Sequence, residues 1–131
     1  MTEKAGIILF NEKFTKVALV YRKNLNDWSF PKGHLEPNET VKECALRETA
    51  EETKRDAEIL NYPPIVEEYT TPKGEHCRCT MFLGKDIGKS ANNSPDTHPT
   101  YFIPVEECES KLSYNNLKLV WNKAKEYLNI K

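Results

Sequence analysis

The sequence predicts an α/β fold of the α+β kind, folded as one domain over residues 1–131, and three observations carry that expectation. Short β-prone runs recur at residues 5–10, 17–21, 65–70, 76–83 and 101–105, separated by turn-forming residues. Two segments, 40–53 and 115–128, place apolar residues at helical spacing instead. A chain of 131 residues is long enough for one real core and short for two.

In chain order, AGIILF (5–10) and VALVY (17–21) lack alternation, which implies strands buried on both faces, and the polar NEKFTK between them reads as a turn. Arg22 and Lys23 bring positive charge to the end of the second strand. DWSF (27–30) then leads into Pro31-Lys32-Gly33-His34, where Pro31 and Gly33 mark a loop. Thr40 with Glu43 fits the capping box T-x-x-E, so the first helix starts near Thr40; no glycine follows it, so it either runs on toward Asp56 or leaves through a mildly strained lysine. After the break at Pro63-Pro64 come two strands joined by the turn TPKGE. In the second, Cys77, Cys79, Met81 and Leu83 are expected to face the core, leaving His76, Arg78, Thr80 and Phe82 on a face that could meet a ligand. Residues 84–99, rich in Gly, Ser, Asn and Pro, read as a long loop. Leu117, Val120, Trp121, Ala124 and Leu128 form the apolar stripe of the last helix.

The first helix carries the chemistry. At 100° per residue, Val41, Cys44 and Ala45 share a side with Glu48, Glu51 and Glu52, so an apolar stripe runs into a cluster of carboxylates. Burying that face draws negative charges out of water, where unpaired carboxylates are costly and repel one another. Such a cluster calls for cations, and dense oxygen ligands suit Mg2+ or Mn2+, which bridge to substrate phosphates.

Charge and cysteine usage exclude other classes. With 19 Lys plus Arg against 20 Asp plus Glu, the net charge of -1 argues against a stable nucleic-acid partner or an acidic membrane surface. No stretch approaches the roughly 20 apolar residues of a membrane helix. The N-terminal apolar run resembles a first strand more than a signal peptide, so a cytoplasmic protein is expected. Cys44, Cys77, Cys79 and Cys108 form no C-x-x-C pair and are expected to be reduced; Cys77 and Cys79, at i and i+2, suit core packing better than a zinc site.

The stretch from Gly33 to Arg55 resembles the Nudix hydrolase signature, G-x5-E-x7-R-E-U-x-E-E-x-G-U, where U is a bulky apolar residue. Gly33, Glu39, Arg47, Glu48, Glu51 and Glu52 fall in register; Thr49 and Arg55 stand where the signature has apolar residues, and Lys54 where it has glycine. The resemblance implies an α/β/α sandwich with a mixed central sheet, a loop-helix catalytic motif and a C-terminal helix. It further implies a Mg2+- or Mn2+-dependent enzyme that hydrolyses diphosphate linkages. By position, Glu48, Glu51, Glu52 and the Gly33 carbonyl would hold metal, Glu48 or a neighbour would serve as general base, and Arg47 would pair with Glu39. Asp96 is aligned with a further carboxylate ligand from a later loop.

The run W-S-F-P-K-G-H-L-E-P (28–37) also resembles the variant found in diadenosine tetraphosphate hydrolases and diphosphoinositol polyphosphate phosphohydrolases. This narrower resemblance implies a phosphate contact for Lys32 and adenine stacking on Tyr114; Arg22, by its charge, and His34, by its place in the loop, are further candidate substrate contacts. An inositol pyrophosphate would require a more basic pocket, so a nucleotide substrate, diadenosine tetraphosphate, is favoured, cleaved to ATP and AMP. The alternatives are a nucleoside triphosphate, a nucleotide sugar, capped RNA or an inositol pyrophosphate as substrate, or a binding module without turnover. A monomer is expected, with a homodimer as the other possibility.

Overall fold

A computed structural model describes residues 1–95 and 98–130. In order the elements are β1 (Thr2–Phe10), β2 (Lys16–Arg22), β3 (Asp27–Ser29), β4 (Lys32–His34), α1 (Val41–Thr53), β5 (Arg55–Ile59), β6 (Ile65–Thr70), β7 (His76–Lys89), β8 (Thr100–Pro104), α2 (Val105–Lys111) and α3 (Asn115–Leu128). The strands form one mixed sheet in the order β3-β2-β1-β7-β5, with β4 beside β1, β6 beside β7 and β8 beside β2. Only β1 and β7 run parallel, in register from Thr2↔Cys77 to Phe10↔Lys85; every other pair is antiparallel. No described helix is long and apolar enough to cross a membrane.

The unbroken apolar run of β1 is explained by a layer on each face. Ile8 and Phe10 pack into a cluster with Cys79, Met81 and Leu83 of β7, Cys108 of α2, and Leu117, Val120, Trp121 and Ala124 of α3. Ala5, Ile7 and Leu9 pack on the opposite face with Cys44 and Ala45 of α1. All five β1 residues named here are fully buried, so alternation has no solvent face on which to appear.

Several expectations need correction. Lys32 to His34 form a short strand, not a loop, because β1 pairs with them through Lys4↔His34, Ala5↔Gly33 and Gly6↔Lys32. Gly6 permits this: a Cβ there would lie 2.1 Å from the Pro31 carbonyl oxygen. The long loop begins at residue 90, since β7 runs on through Gly84 and Gly88 to pair with β5. Gly84 faces Ile7, and a Cβ there would approach its Cγ2 to 2.6 Å, so this glycine reflects close packing and not a turn. Half of the second face of β7 is closed to a ligand, with His76 and Arg78 left exposed. Thr80 and Phe82 are buried, Phe82 in the α1-side cluster, while Arg78 is paired with Glu3.

Helix α2 has no counterpart among the expected elements. It starts where β8 ends, at Pro104, with Glu106 and Glu107 in its first turn and Lys111 in its last, and it buries Cys108. By contrast, α3 occupies the segment its stripe indicates.

Within α1, Thr49 is fully buried, and its hydroxyl has no hydrogen-bond partner among the described residues. A buried donor left unpaired costs about 1–3 kcal/mol. Thr49→Val keeps the shape and removes the orphan, so it is expected to stabilise the protein by about 1 kcal/mol. Chemical denaturation measures this, and a loss of stability would show that the hydroxyl is satisfied after all.

Candidate active site

The site is built on the start, face and exit of α1. Thr40 caps the helix with its hydroxyl accepting from the Glu43 N–H at 3.1 Å, and the Glu43 carboxylate accepts from the Thr40 N–H at 2.9 Å, completing the capping box. Cys44, Ala45 and Thr49 anchor the buried face, and one turn on, Glu48, Glu51 and Glu52 reach the rim of a cleft of about 620 Å³. The opposing wall comes from β4 and from residues 94, 95 and 98, with Arg22 at one end.

Arg47 organises the entry loop. Its Nε donates to Glu39 Oε2 at 2.6 Å and its Nη2 to Glu39 Oε1 at 2.9 Å, a bidentate pair, while Nη2 also donates to the His34 carbonyl at 3.0 Å. Nη1 donates to Glu48 Oε1 at 2.8 Å and to Glu51 Oε1 at 3.3 Å. Glu39 accepts the Glu36 N–H at 3.0 Å as well, so the loop before α1 is clipped to the helix. Hydrogen bonding from Arg47 holds the Glu39 carboxyl down at about 2.

Burial acts the other way on the catalytic face. It raises Glu48, against the pull of Arg47, and raises Glu52 to about 8. Glu52 Oε1 accepts the Lys32 N–H at 2.9 Å, and no side-chain cation bonds its carboxylate among the described residues. Gly33 lies directly against Glu48. A Cβ on Gly33 would fall 2.1 Å from Glu48 Cδ, so only glycine lets that carboxylate rest on the β4 backbone. The Gly33 carbonyl, in the β4 ladder opposite Ala5, also accepts the weak Cys44 thiol at 3.5 Å.

The donor set fits a hard divalent cation: carboxylate oxygens, a backbone carbonyl with a second lone pair to offer, and a glycine cradle that keeps them together. Among the described residues, no three His, Cys, Asp or Glu side chains already converge on a single point. Glu48 and Glu51 instead share the Arg47 guanidinium.

The other expected substrate residues are placed more variously. Arg22 lines the cleft but is paired bidentately with Asp27, at 2.7 and 2.6 Å. The Lys32 ammonium lies 5.0 Å over the Tyr69 ring and 3.4 Å from its hydroxyl. His34 is exposed, with Nε2 3.8 Å from Glu75. Tyr114, at the N-cap of α3, donates its hydroxyl to Asp27 at 2.5 Å and keeps its ring 40% exposed. Asp96 lies outside the described residues.

Asp27 is the residue that sequence reasoning missed. Burial pushes its carboxyl up, but hydrogen bonds from Arg22 and Tyr114 outweigh this and leave it below the usual range. In NLNDWSF it reads as an ordinary turn acid, and nothing local signals that it joins two expected substrate residues. Trp28 packs between Tyr21, at 5.0 Å, and Tyr101, at 5.6 Å.

Comparison with known proteins agrees with this architecture. An "8-oxo-(d)GTP phosphatase" of Mycolicibacterium smegmatis is 30% identical over 99 residues, covering 76% of this chain and 30% of that protein. An "RNA pyrophosphohydrolase" of Erythrobacter litoralis is 39% identical, covering 79% of this chain and 76% of that protein. The chain spans about a third of the length of the first two curated relatives, 36% and 30%. Among solved structures, a binary complex of the C. elegans Ap4A hydrolase superposes with a TM-score of 0.77 at 20% identity, covering 98% of each chain, which is a likeness of fold. The model of the NUDIX domain matches residues 2–125, and the chain belongs to that family.

Proposed function

We propose that this protein is a divalent-metal-dependent pyrophosphohydrolase of a nucleoside polyphosphate, with diadenosine tetraphosphate the favoured substrate. The observation that carries the reading is the half-buried Glu52 beside Glu48, which itself rests on Gly33: a carboxylate cluster raised by partial burial and answered by no side-chain cation at Glu52 among the described residues. Glu48, Glu51, Glu52 and the Gly33 carbonyl would hold Mg2+ or Mn2+. When bound, such an ion neutralises phosphate charge and acidifies water.

The chain's own residues supply the rest. Arg47 and Glu39 fix the loop that carries Gly33 and His34 against α1. The Lys32 N–H fixes one oxygen of Glu52 on the cleft wall. Arg22 places positive charge at the end of that cleft while Asp27 holds its orientation. Tyr114 shares that Asp27 and keeps an exposed ring, an arrangement suited to stacking on a base. These features support a nucleotide over a more highly charged inositol pyrophosphate.

A second reading keeps the chemistry and substitutes a nucleoside triphosphate or an RNA end. The activities after which the two sequence relatives are named favour it. A screen in Mg2+ of diadenosine tetraphosphate, nucleoside triphosphates, 8-oxo-dGTP and triphosphorylated RNA, with products resolved by ion exchange, separates the two. ATP and AMP from diadenosine tetraphosphate are expected. Preference for a triphosphate supports the second reading, and nucleotide affinity with no cleavage of any substrate points to a binding module.

A further inference from the structure

Lys54 stands where the family signature has glycine, and the structure gives it work that glycine could not do. It ends α1 in the left-handed region, at φ 61° and ψ 24°, with its N–H on the Ala50 carbonyl at 3.0 Å. The last turn of α1 contains no basic residue. The Lys54 ammonium supplies the missing cation, donating to the Glu51 carbonyl at 2.8 Å and also to the Ser94 carbonyl. The Lys54 carbonyl accepts the Ser90 N–H at 2.9 Å.

One residue therefore grips the segment after β7 at two points, through its backbone at Ser90 and its side chain at Ser94. Between these points the segment is folded by its own side chains. Asn92 N–H donates to Ser90 Oγ at 3.0 Å, and Ser94 N–H donates to Asn92 Oδ1 at 2.8 Å. Residues 90–95 contribute nothing to either apolar cluster, so polar contacts alone hold them down. Ser94 and Pro95 line the same cleft as Glu51 and Glu52.

We infer that Lys54 is a positioning residue, whose ammonium ties the 90–95 wall of the cleft to the C-terminal end of the carboxylate helix and so sets the shape that receives substrate. Lys54 touches no substrate in this scheme; it acts through Ser94 and Pro95. The inference rests on the hydrolase reading above for its catalytic consequence, but the tether itself does not. Glycine at this position would retain the Ser90 contact and relieve the left-handed backbone, losing the contacts of the ammonium.

The test compares wild type with Lys54→Gly, Lys54→Met and Lys54→Arg, using diadenosine tetraphosphate kinetics in Mg2+ and backbone hydrogen exchange over residues 90–95. The Gly and Met variants are expected to raise KM about tenfold, the scale of one hydrogen bond to a charged group, with kcat within about twofold. Exchange over 90–95 should quicken in both, the thermal midpoint of Lys54→Gly should equal or exceed wild type, and Lys54→Arg should keep most of the wild-type KM. Unchanged KM and exchange in the Gly and Met variants overturn the inference. A raised KM with unchanged exchange also overturns it, because the ammonium would then act on substrate directly. If the wild type cleaves nothing, the hydrolase reading fails on its own, and the exchange rates still decide whether Lys54 holds the segment.

Discussion

Glu52→Gln is expected to lower nucleoside polyphosphate cleavage by about 10^3-fold while making the metal-free protein more stable at pH 8. The two effects share one cause. Glu52 is half-buried on the cleft wall, and its removal from water raises its carboxyl to about 8 from an ordinary 4.5. Because the folded value lies above the unfolded one, the group's contribution to stability is fully present below about pH 4.5 and is lost as pH rises toward 8. The slope approaches about 1.4 kcal/mol per pH unit within that window. Glutamine keeps the oxygen that accepts the Lys32 N–H and never ionises. Wild type and variant should therefore be closest in stability near pH 4.5 and diverge in the variant's favour up to about pH 8.

Added Mg2+ reverses the order. A cation favours the ionised carboxylate, so Mg2+ should raise the wild-type thermal midpoint more at pH 8 than at pH 5.5, with little effect on the variant. Thermal melts with and without Mg2+ at the two pH values, run beside the activity assay, check all three expectations. Equal turnover by the variant would remove Glu52 from the reaction, and parallel stability curves would show that its carboxyl is not raised.

That Glu52 sits partly out of water is legible from the helix pattern alone, since Val41, Cys44 and Ala45 occupy the stripe that leads to it. The capping box is legible for a similar reason: Thr40 and Glu43 bond to each other's backbone, so their signal is local. The α3 stripe also survives, because a helix must bury its apolar face somewhere and the sheet is the available partner. What failed to show depends on distant partners. Gly33 resembles a loop glycine until Ala5 pairs with it, and Gly84 resembles a loop start until Ile7 packs where its Cβ would be. Helix α2 is too short for its periodicity to stand out, with Cys108 as its one fully buried residue. Asp27 and Lys54 gain their roles from Tyr114 and Ser94, far along the chain, and neither residue type announces such a partner.

Arg47→Met is expected to cost about 2 kcal/mol of stability at pH 7 and to lower activity with it. Removing one member of a buried ion pair costs about 3–5 kcal/mol, and partial exposure of this guanidinium reduces the figure. Methionine preserves the aliphatic stem, so the loss reports on the charge and its hydrogen bonds. Four carboxylates then lose their cation, Glu36, Glu39, Glu48 and Glu51, and the His34 carbonyl loses a donor. The pH dependence distinguishes this effect from a general packing defect. Hydrogen bonding from Arg47 depresses Glu39 to about 2 from 4.5, so its contribution is present above about pH 4.5 and is lost as pH falls toward 2. The gap between wild type and variant should therefore be widest at neutral pH and narrow at pH 3. Arg47→Lys is expected to recover less than half of it, because an ammonium cannot span both Glu39 oxygens and still reach Glu48. Denaturant unfolding of the three proteins at pH 7 and pH 3 measures the gap directly. A pH-independent difference would mean that Arg47 contributes through packing, and the clip between the entry loop and the carboxylate helix would not be electrostatic.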